Sequence, residues 1–198
     1  MPFDPKRTAL LSMDLQAGVV HVYVKDTEFI PRTTGVIAQA RQAGMMIVHV
    51  KVGFRPDVPE ASPRNRFLTM VKASPQHQEF FQGKSGAIHP ALTPADGDLV
   101  VTKTRVSAFA GTDLDLLLRA HDIQTLVMFG IAMSGVVLAT FETAFDADYE
   151  IFVIKDCCAD MDAELHQALL DKHFARMGTV IAASEFQKML REGGAATS

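Results

Sequence analysis

The sequence has little of what builds a disulfide-stapled, membrane-spanning or nucleic-acid-binding protein. Its only cysteines, Cys157 and Cys158, are adjacent. Adjacency disfavours a structural disulfide and leaves no spaced pair for a metal, and a reduced compartment fits. No apolar run reaches the roughly 18 residues needed to span a bilayer. The N-terminal stretch MPFDPKRTALLSMDLQ sets Asp4 and Asp14 around its one apolar segment and carries no signal-cleavage pattern. A formal net charge of -4 gives no electrostatic case for nucleic acid or an anionic membrane. The expectation is a cytoplasmic protein with neither as partner. No Gly-x-Gly-x-x-Gly follows a candidate strand, and Gly130-x-x-x-x-Gly135 lacks the Lys-Ser/Thr of a phosphate loop. No nucleotide or other cofactor is expected. Internal repeats and low-complexity blocks are also missing.

What is there is a pattern of alternation. At 198 residues, 48% hydrophobic and 21% charged, the chain suits one α/β domain spanning 1–198 with a substantial core. Six short apolar runs read as strands: Thr8–Asp14, Met45–Val52, Asp98–Lys103, Thr125–Gly130, Ile151–Asp156 and Thr179–Ala182. Most are continuously apolar, as strands covered on both faces are. Helical patterns separate them. One ends over Gln39–Ala43 with Gly44 as its C-cap. Another covers Asp113–His121 behind Thr112, with Asp115 in the capping-box position and Leu114, Leu117 and Leu118 on one face. Ser134–Asp148, Met161–Met177 and Ser184–Arg191 supply three more, and residues after Gly193 read as a frayed tail. Six runs separated by helices predict a six-stranded parallel sheet in a three-layer α/β/α sandwich.

The stretch Gly53–Gly97 departs from this rhythm. It holds six of the nine prolines, with short helices at most around Asn65–Lys72 and Gln76–Phe81. After a strand's C-terminal end such an excursion serves as lid, pocket wall or oligomer contact, or simply covers surface.

Ligands of open parallel sheets bind beyond the carboxyl ends of the strands. Asp14 ends the first run, Lys103 the third, and Gly130–Ser134 links the fourth to a helix start whose N–H groups can face negative charge. Each signal is weak by itself. Asp14 equally suits a turn cap, Lys103 with Arg105 a solvated basic strand end, and many such loops go unused.

Three ordered blocks connect these positions. LLSMDLQ contains Asp14 and Gln16. KTRVSAFAGTDL contains Lys103, Ser107, Phe109, Gly111, Thr112 and Leu114. GIAMSGVV runs from Gly130 to Val137. With IHPAL, KDCCAD and His166, they resemble the isochorismatase-like hydrolases (the cysteine hydrolase superfamily) over about residues 8–183. The resemblance implies the Rossmann-like fold of that family, catalytic roles for Asp14 and Lys103, and an oxyanion or cis-peptide loop at Ile131, Ala132 and Met133. It further implies a small-molecule substrate pocket near Gln16, Phe109 and Ser134, and a homo-oligomer, dimer or tetramer.

The third block departs from the pattern. Val136 stands where amidase-type members carry cysteine, and Met133 where threonine is usual. Valine offers no nucleophilic atom, so a thioester route is closed. Cys157 and Cys158 read as buried, inert small hydrophobes. Ser134 is nearer, but no histidine is evident as its base. True isochorismatases in the family also lack the cysteine, which implies an Asp/Lys mechanism acting on a vinyl ether or related C–O or C–N bond. That role needs an Asp14 pKa raised toward neutrality. A catalytically inactive member that binds a ligand or serves an assembly is the alternative. No metal is expected: His49 lies inside a strand, and His77 and His89 are isolated.

Overall fold

The computed structural model describes residues 4–195. The strands form where the apolar runs predict them: β1 (Thr8–Met13), β2 (Met46–Val52), β3 (Leu99–Lys103), β4 (Thr125–Gly130), β5 (Glu150–Ile154) and β6 (Thr179–Ile181). All are parallel, in the order β3-β2-β1-β4-β5-β6. Every residue of β1 and β4 is buried, which accounts for their unbroken apolar runs. Leu11, for instance, pairs with Val48 on one side and Met128 on the other. Truncating such a side chain to alanine costs roughly 2–5 kcal/mol. The edge strand β3 alternates instead, with Val101 and Lys103 buried and Val100 and Thr102 exposed. Period-two geometry therefore turns the Lys103 side chain inward.

The helices are α1 (Ala17–Tyr23), α2 (Phe29–Gln42), α3 (Arg66–Ala73), α4 (Pro75–Phe80), α5 (Leu114–Ala120), α6 (Leu138–Asp146), α7 (Ala163–Ala168), α8 (Ala175–Met177) and α9 (Ala183–Ala195). Gly44 closes α2 as expected. At φ 82° it allows the Gly44 N–H to reach the Arg41 carbonyl and the Met45 N–H the Ala40 carbonyl, a Schellman motif.

Other boundaries differ from the sequence reading for identifiable reasons. α1 is masked by its valines, which favour strands. No capping box opens α5, because Asp115 pairs with Arg119 at 2.9 Å while the Thr112 hydroxyl accepts from the Leu114 N–H at 3.3 Å. The helix expected from Met161 starts at Ala163, where the Asp162 carboxylate takes the Leu165 N–H at 2.9 Å. It then widens into a π-helical stretch over Leu169–Phe174 before α8. α6 likewise begins with a π-helical turn, Met133–Val137, in which the Val137 N–H reaches back to the Ala132 carbonyl. α9 runs to Ala195 rather than fraying at Gly193; each glycine costs about 1 kcal/mol against alanine in a helix but does not break it. Residues 196–198 of the expected tail lie outside the described residues.

The Gly53–Gly97 excursion folds over the carboxyl end of the sheet. Asn65 caps α3 and Ser74 caps α4. Phe81 meets Phe54, Phe67 and Phe80 edge-on, with ring centroids 5.6, 6.2 and 5.0 Å away. Of its open readings, this geometry supports a pocket wall.

Candidate active site

The strand order reverses between β1 and β4, so the crevice beyond their carboxyl ends is the topological switch point of the sheet. Asp14 leaves β1 there with φ 55°, a left-handed conformation that aspartate tolerates better than most residues. Its N–H donates to the Val50 carbonyl at 2.8 Å, and the Ile131 N–H donates to the Met13 carbonyl at 3.1 Å. Both strand ends are thereby tied. Gly130 completes the junction at φ 158°, where a Cβ would stand 2.3 Å from the Met13 carbonyl oxygen. Only glycine fits that approach. The peptide that follows, Ile131–Ala132, is cis, in the loop where the resemblance implies one.

Lys103 ends β3, opposite Val52. Its Nζ lies 2.8 Å from Asp14 Oδ2, with the two side chains only 3% and 9% exposed. It also donates to the Arg105 carbonyl at 3.1 Å. The other Asp14 oxygen, Oδ1, is buried with no hydrogen-bond partner among the described residues. Burial raises the Asp14 pKa from 3.8 to about 6, against the pull of Lys103. At pH 7 roughly a tenth of the molecules then carry the proton.

Asp14, Lys103 and Val136 line one cavity of about 270 Å³, small beside the roughly 300–1,000 Å³ of most ligand sites. Tyr23, Phe54, Phe67, Phe80 and Phe81 form its aromatic wall, and Ile131, Ala132 and Gly135 its floor. The aromatic wall went unanticipated. Its signal is four phenylalanines in an otherwise polar, proline-rich excursion, but no periodicity says which way they face.

Other expected site residues lie elsewhere. Gln16 is fully buried: its amide donates to the Val52 and Gly86 carbonyls at 3.0 and 2.8 Å and accepts the Val52 N–H at 2.8 Å. It clamps the excursion to β2 rather than facing the cavity. Phe109 is carried away by the loop after β3. The Ala108 N–H docks on Thr140 of α6 at 3.0 Å, and the Phe109 ring approaches Tyr149, just before β5, with centroids 6.3 Å apart. Met133 is buried outside the lining, its N–H held by the Ala159 carbonyl. The Ser134 N–H donates to Asp160 at 2.7 Å. Among the described residues, that leaves Ala132 as the one member of the Ile131–Met133 loop whose N–H has no hydrogen-bond acceptor.

Neither cysteine lines the cavity. Burial pushes the Cys157 thiol up to about 12 and raises Cys158 as well, which suppresses the thiolate form. Among the described residues no group of three or more His, Cys, Asp and Glu could hold a metal, and no helix is long and apolar enough to cross a membrane.

At the switch point of this parallel α/β sheet a raised-pKa carboxylate and a lysine thus face one mostly apolar cavity, a candidate ligand site. Comparison with known proteins makes that specific. The model of the isochorismatase domain matches residues 8–185, and the chain belongs to the isochorismatase family of hydrolases. The chain is 32% identical over 195 residues to the isochorismatase family protein YwoC of Bacillus subtilis, covering 95% of this chain and 96% of that one. It is 33% identical over 174 residues to the ureidoacrylate amidohydrolase RutB of Methylorubrum extorquens, with 78% and 70% covered. Among solved structures, an isochorismatase family protein from Burkholderia thailandensis aligns with TM-score 0.83 at 28% identity, over 94% of this chain and 96% of that one.

Proposed function

We propose that this protein hydrolyses a small metabolite without a nucleophilic cysteine, using Asp14 as acid/base and Lys103 as its electrostatic partner. The carrying observation is the buried Asp14–Lys103 pair with Asp14 Oδ1 unpartnered, on the wall of the cavity that Val136 also lines. In this reading Val136 occupies the position where amidase-type members place their cysteine, and it presents an apolar wall instead.

The chemistry fits a vinyl ether or a related C–O or C–N bond. Protonated Asp14 delivers its proton to the carbon β to the ether oxygen, forming a C–H bond and an oxocarbenium ion. Water adds to that cation and returns a proton to the carboxylate. The resulting hemiketal collapses, the C–O bond breaks, and the alcohol leaves with the proton. Lys103 orients the carboxyl group and stabilises the negative charge that develops on it as the proton leaves. For a C–N bond, where water attack builds an oxyanion on the substrate, the Ala132 N–H is the donor this loop offers to it.

Purified protein assayed against isochorismate, maleamate and ureidoacrylate tests the reading. Turnover above background that falls at least about 100-fold in Asp14→Asn supports it; turnover untouched by that substitution removes Asp14 from the mechanism. The competing reading, a ligand-binding or assembly subunit without turnover, is favoured by Val136. It gains if the natural protein is inert and Val136→Cys creates amidase activity. We further propose a cytoplasmic homo-oligomer, dimer or tetramer, to be checked by light scattering.

A further inference from the structure

The Asp14–Lys103 pair leaves one charge in the cavity unbalanced. Three residues of its lining carry formal charge: Asp14, Lys103 and Arg105. The first two offset each other across 2.8 Å, so the cavity holds a net positive charge at Arg105. Arg7, Arg32, Arg41, Arg55 and Arg119 each pair with a carboxylate. Arg105 has no such partner among the described residues, and the other arginines without one are exposed, whereas Arg105 is half-buried.

The guanidinium is nonetheless held in place. Nη1 donates to the Thr104 carbonyl at 2.9 Å and to its hydroxyl at 3.4 Å, and Nη2 to the Glu60 carbonyl at 3.2 Å. Those bonds use three of the five N–H donors of an arginine, all on uncharged oxygens. The Arg105 carbonyl also accepts from Lys103 Nζ, so the free donors sit at a fixed offset from the reacting pair.

We propose that Arg105 is the anion-binding residue of this cavity, and that the substrate is a monoanionic carboxylate with an apolar or aromatic body. This rests on the hydrolytic reading above for the word substrate. A cation in a partly water-excluded site is costly until a counter-charge reaches it. A planar guanidinium with open N–H groups suits a carboxylate, whose two oxygens it can hold at once. The phenylalanine wall takes the body of the ligand. Anchoring the anion beside Lys103 sets the distance from carboxylate to scissile bond, so Arg105 selects among substrates by reach as well as by charge.

Benzoate and benzamide, alike in shape and different in charge, are the probes. Their binding to the full chain is measured by titration calorimetry for the natural protein, Arg105→Gln and Arg105→Lys. Benzoate is expected to bind the natural protein about 10–100-fold more tightly than benzamide. Arg105→Gln should remove that difference by weakening benzoate alone, and Arg105→Lys should restore part of it. Equal binding of the two probes, a benzoate isotherm that does not saturate, or equal weakening of both in Arg105→Gln overturns the proposal. Should the Gln variant not fold, the natural-protein contrast and the Lys variant still decide. Asp14→Asn separates the two readings, because it abolishes turnover while removing a negative charge and so keeps or tightens benzoate binding. Benzoate held through Arg105 by a protein that turns over nothing overturns the hydrolase alone. Turnover without a benzoate preference overturns the anion site alone.

Discussion

Two buried carboxylates at opposite ends of the sheet show how differently one fold treats the same group. Asp98, just before β3, accepts from Arg41 Nε and Nη2 at 3.1 and 2.6 Å, from the Ala95 N–H at 2.9 Å and meets His49 Nε2 at 3.2 Å. Burial pushes its pKa up, yet these donors prevail and hold it below the ordinary carboxylate range. Asp14, just after β1, has Lys103 alone, and burial wins. Saturated with donors, a carboxylate becomes a fixed anion that ties α2 to the sheet. With one oxygen unpartnered, it keeps a proton within reach of neutral pH. The second arrangement sits at the carboxyl edge, where a substrate can complete it.

The largest effect should separate the two residues by what each loses. Asp14→Asn is expected to reduce turnover by about 100-fold or more, whereas Asp98→Asn leaves turnover within about threefold. Stability should respond in Asp98→Asn, which leaves Arg41 and His49 short of an acceptor at a cost of about 2–3 kcal/mol, read as a lower urea midpoint. Turnover lost equally in both variants would break the contrast.

Next in size is the pH dependence. If protonated Asp14 is the acid, the rate falls about tenfold per pH unit above its pKa of about 6. Lys103 lowers that pKa, so Lys103→Met should move the falling limb upward by about a unit or more, on a slower enzyme. Carbon NMR of the Asp14 carboxyl gives the same shift without substrate. A limb that moves down contradicts the role of Lys103 as counter-charge.

How much of this was legible depends on what each residue's neighbours are. β1 and β4 could be read because burial on both faces leaves an unbroken apolar run. Asp14 and Lys103 could be placed because strand ends define the sheet's edge, and the three-block resemblance joined edges far apart in sequence. Phe109 belonged to a correctly recognised block yet faces elsewhere, because a motif does not state which way the loop after β3 turns. The aromatic wall escaped because Phe54, Phe67, Phe80 and Phe81 follow neither a period of 2 nor one of 3.6. Asp98 read as the first residue of a strand, and nothing nearby in sequence announces Arg41, 57 residues away.

The smallest effect is a pair of opposed contributions to stability. Burial lowers the His49 pKa from 6.5, against the pull of Asp98, and its Nδ1 is buried without a partner among the described residues. Below pH 6.5 the unfolded chain protonates this histidine more readily than the folded one, so stability falls as the pH drops. Asp14 does the reverse: its folded pKa of about 6 lies above the 3.8 of the unfolded group. Between those values the folded chain binds the extra proton, so stability rises on acidification and is lost as pH climbs through 6. From pH 7 to 5.5 the Asp14 contribution is worth about 1 kcal/mol, and that of His49 has the opposite sign. The shift of the urea midpoint between the two pH values should therefore lie, in the natural protein, between the shifts of the two variants. His49→Gln, keeping only the Asp14 contribution of the two, should gain relative to the natural protein on acidification; Asp14→Asn, keeping only that of His49, should lose. Parallel pH slopes in all three would mean that neither buried site differs from its unfolded state as its surroundings require.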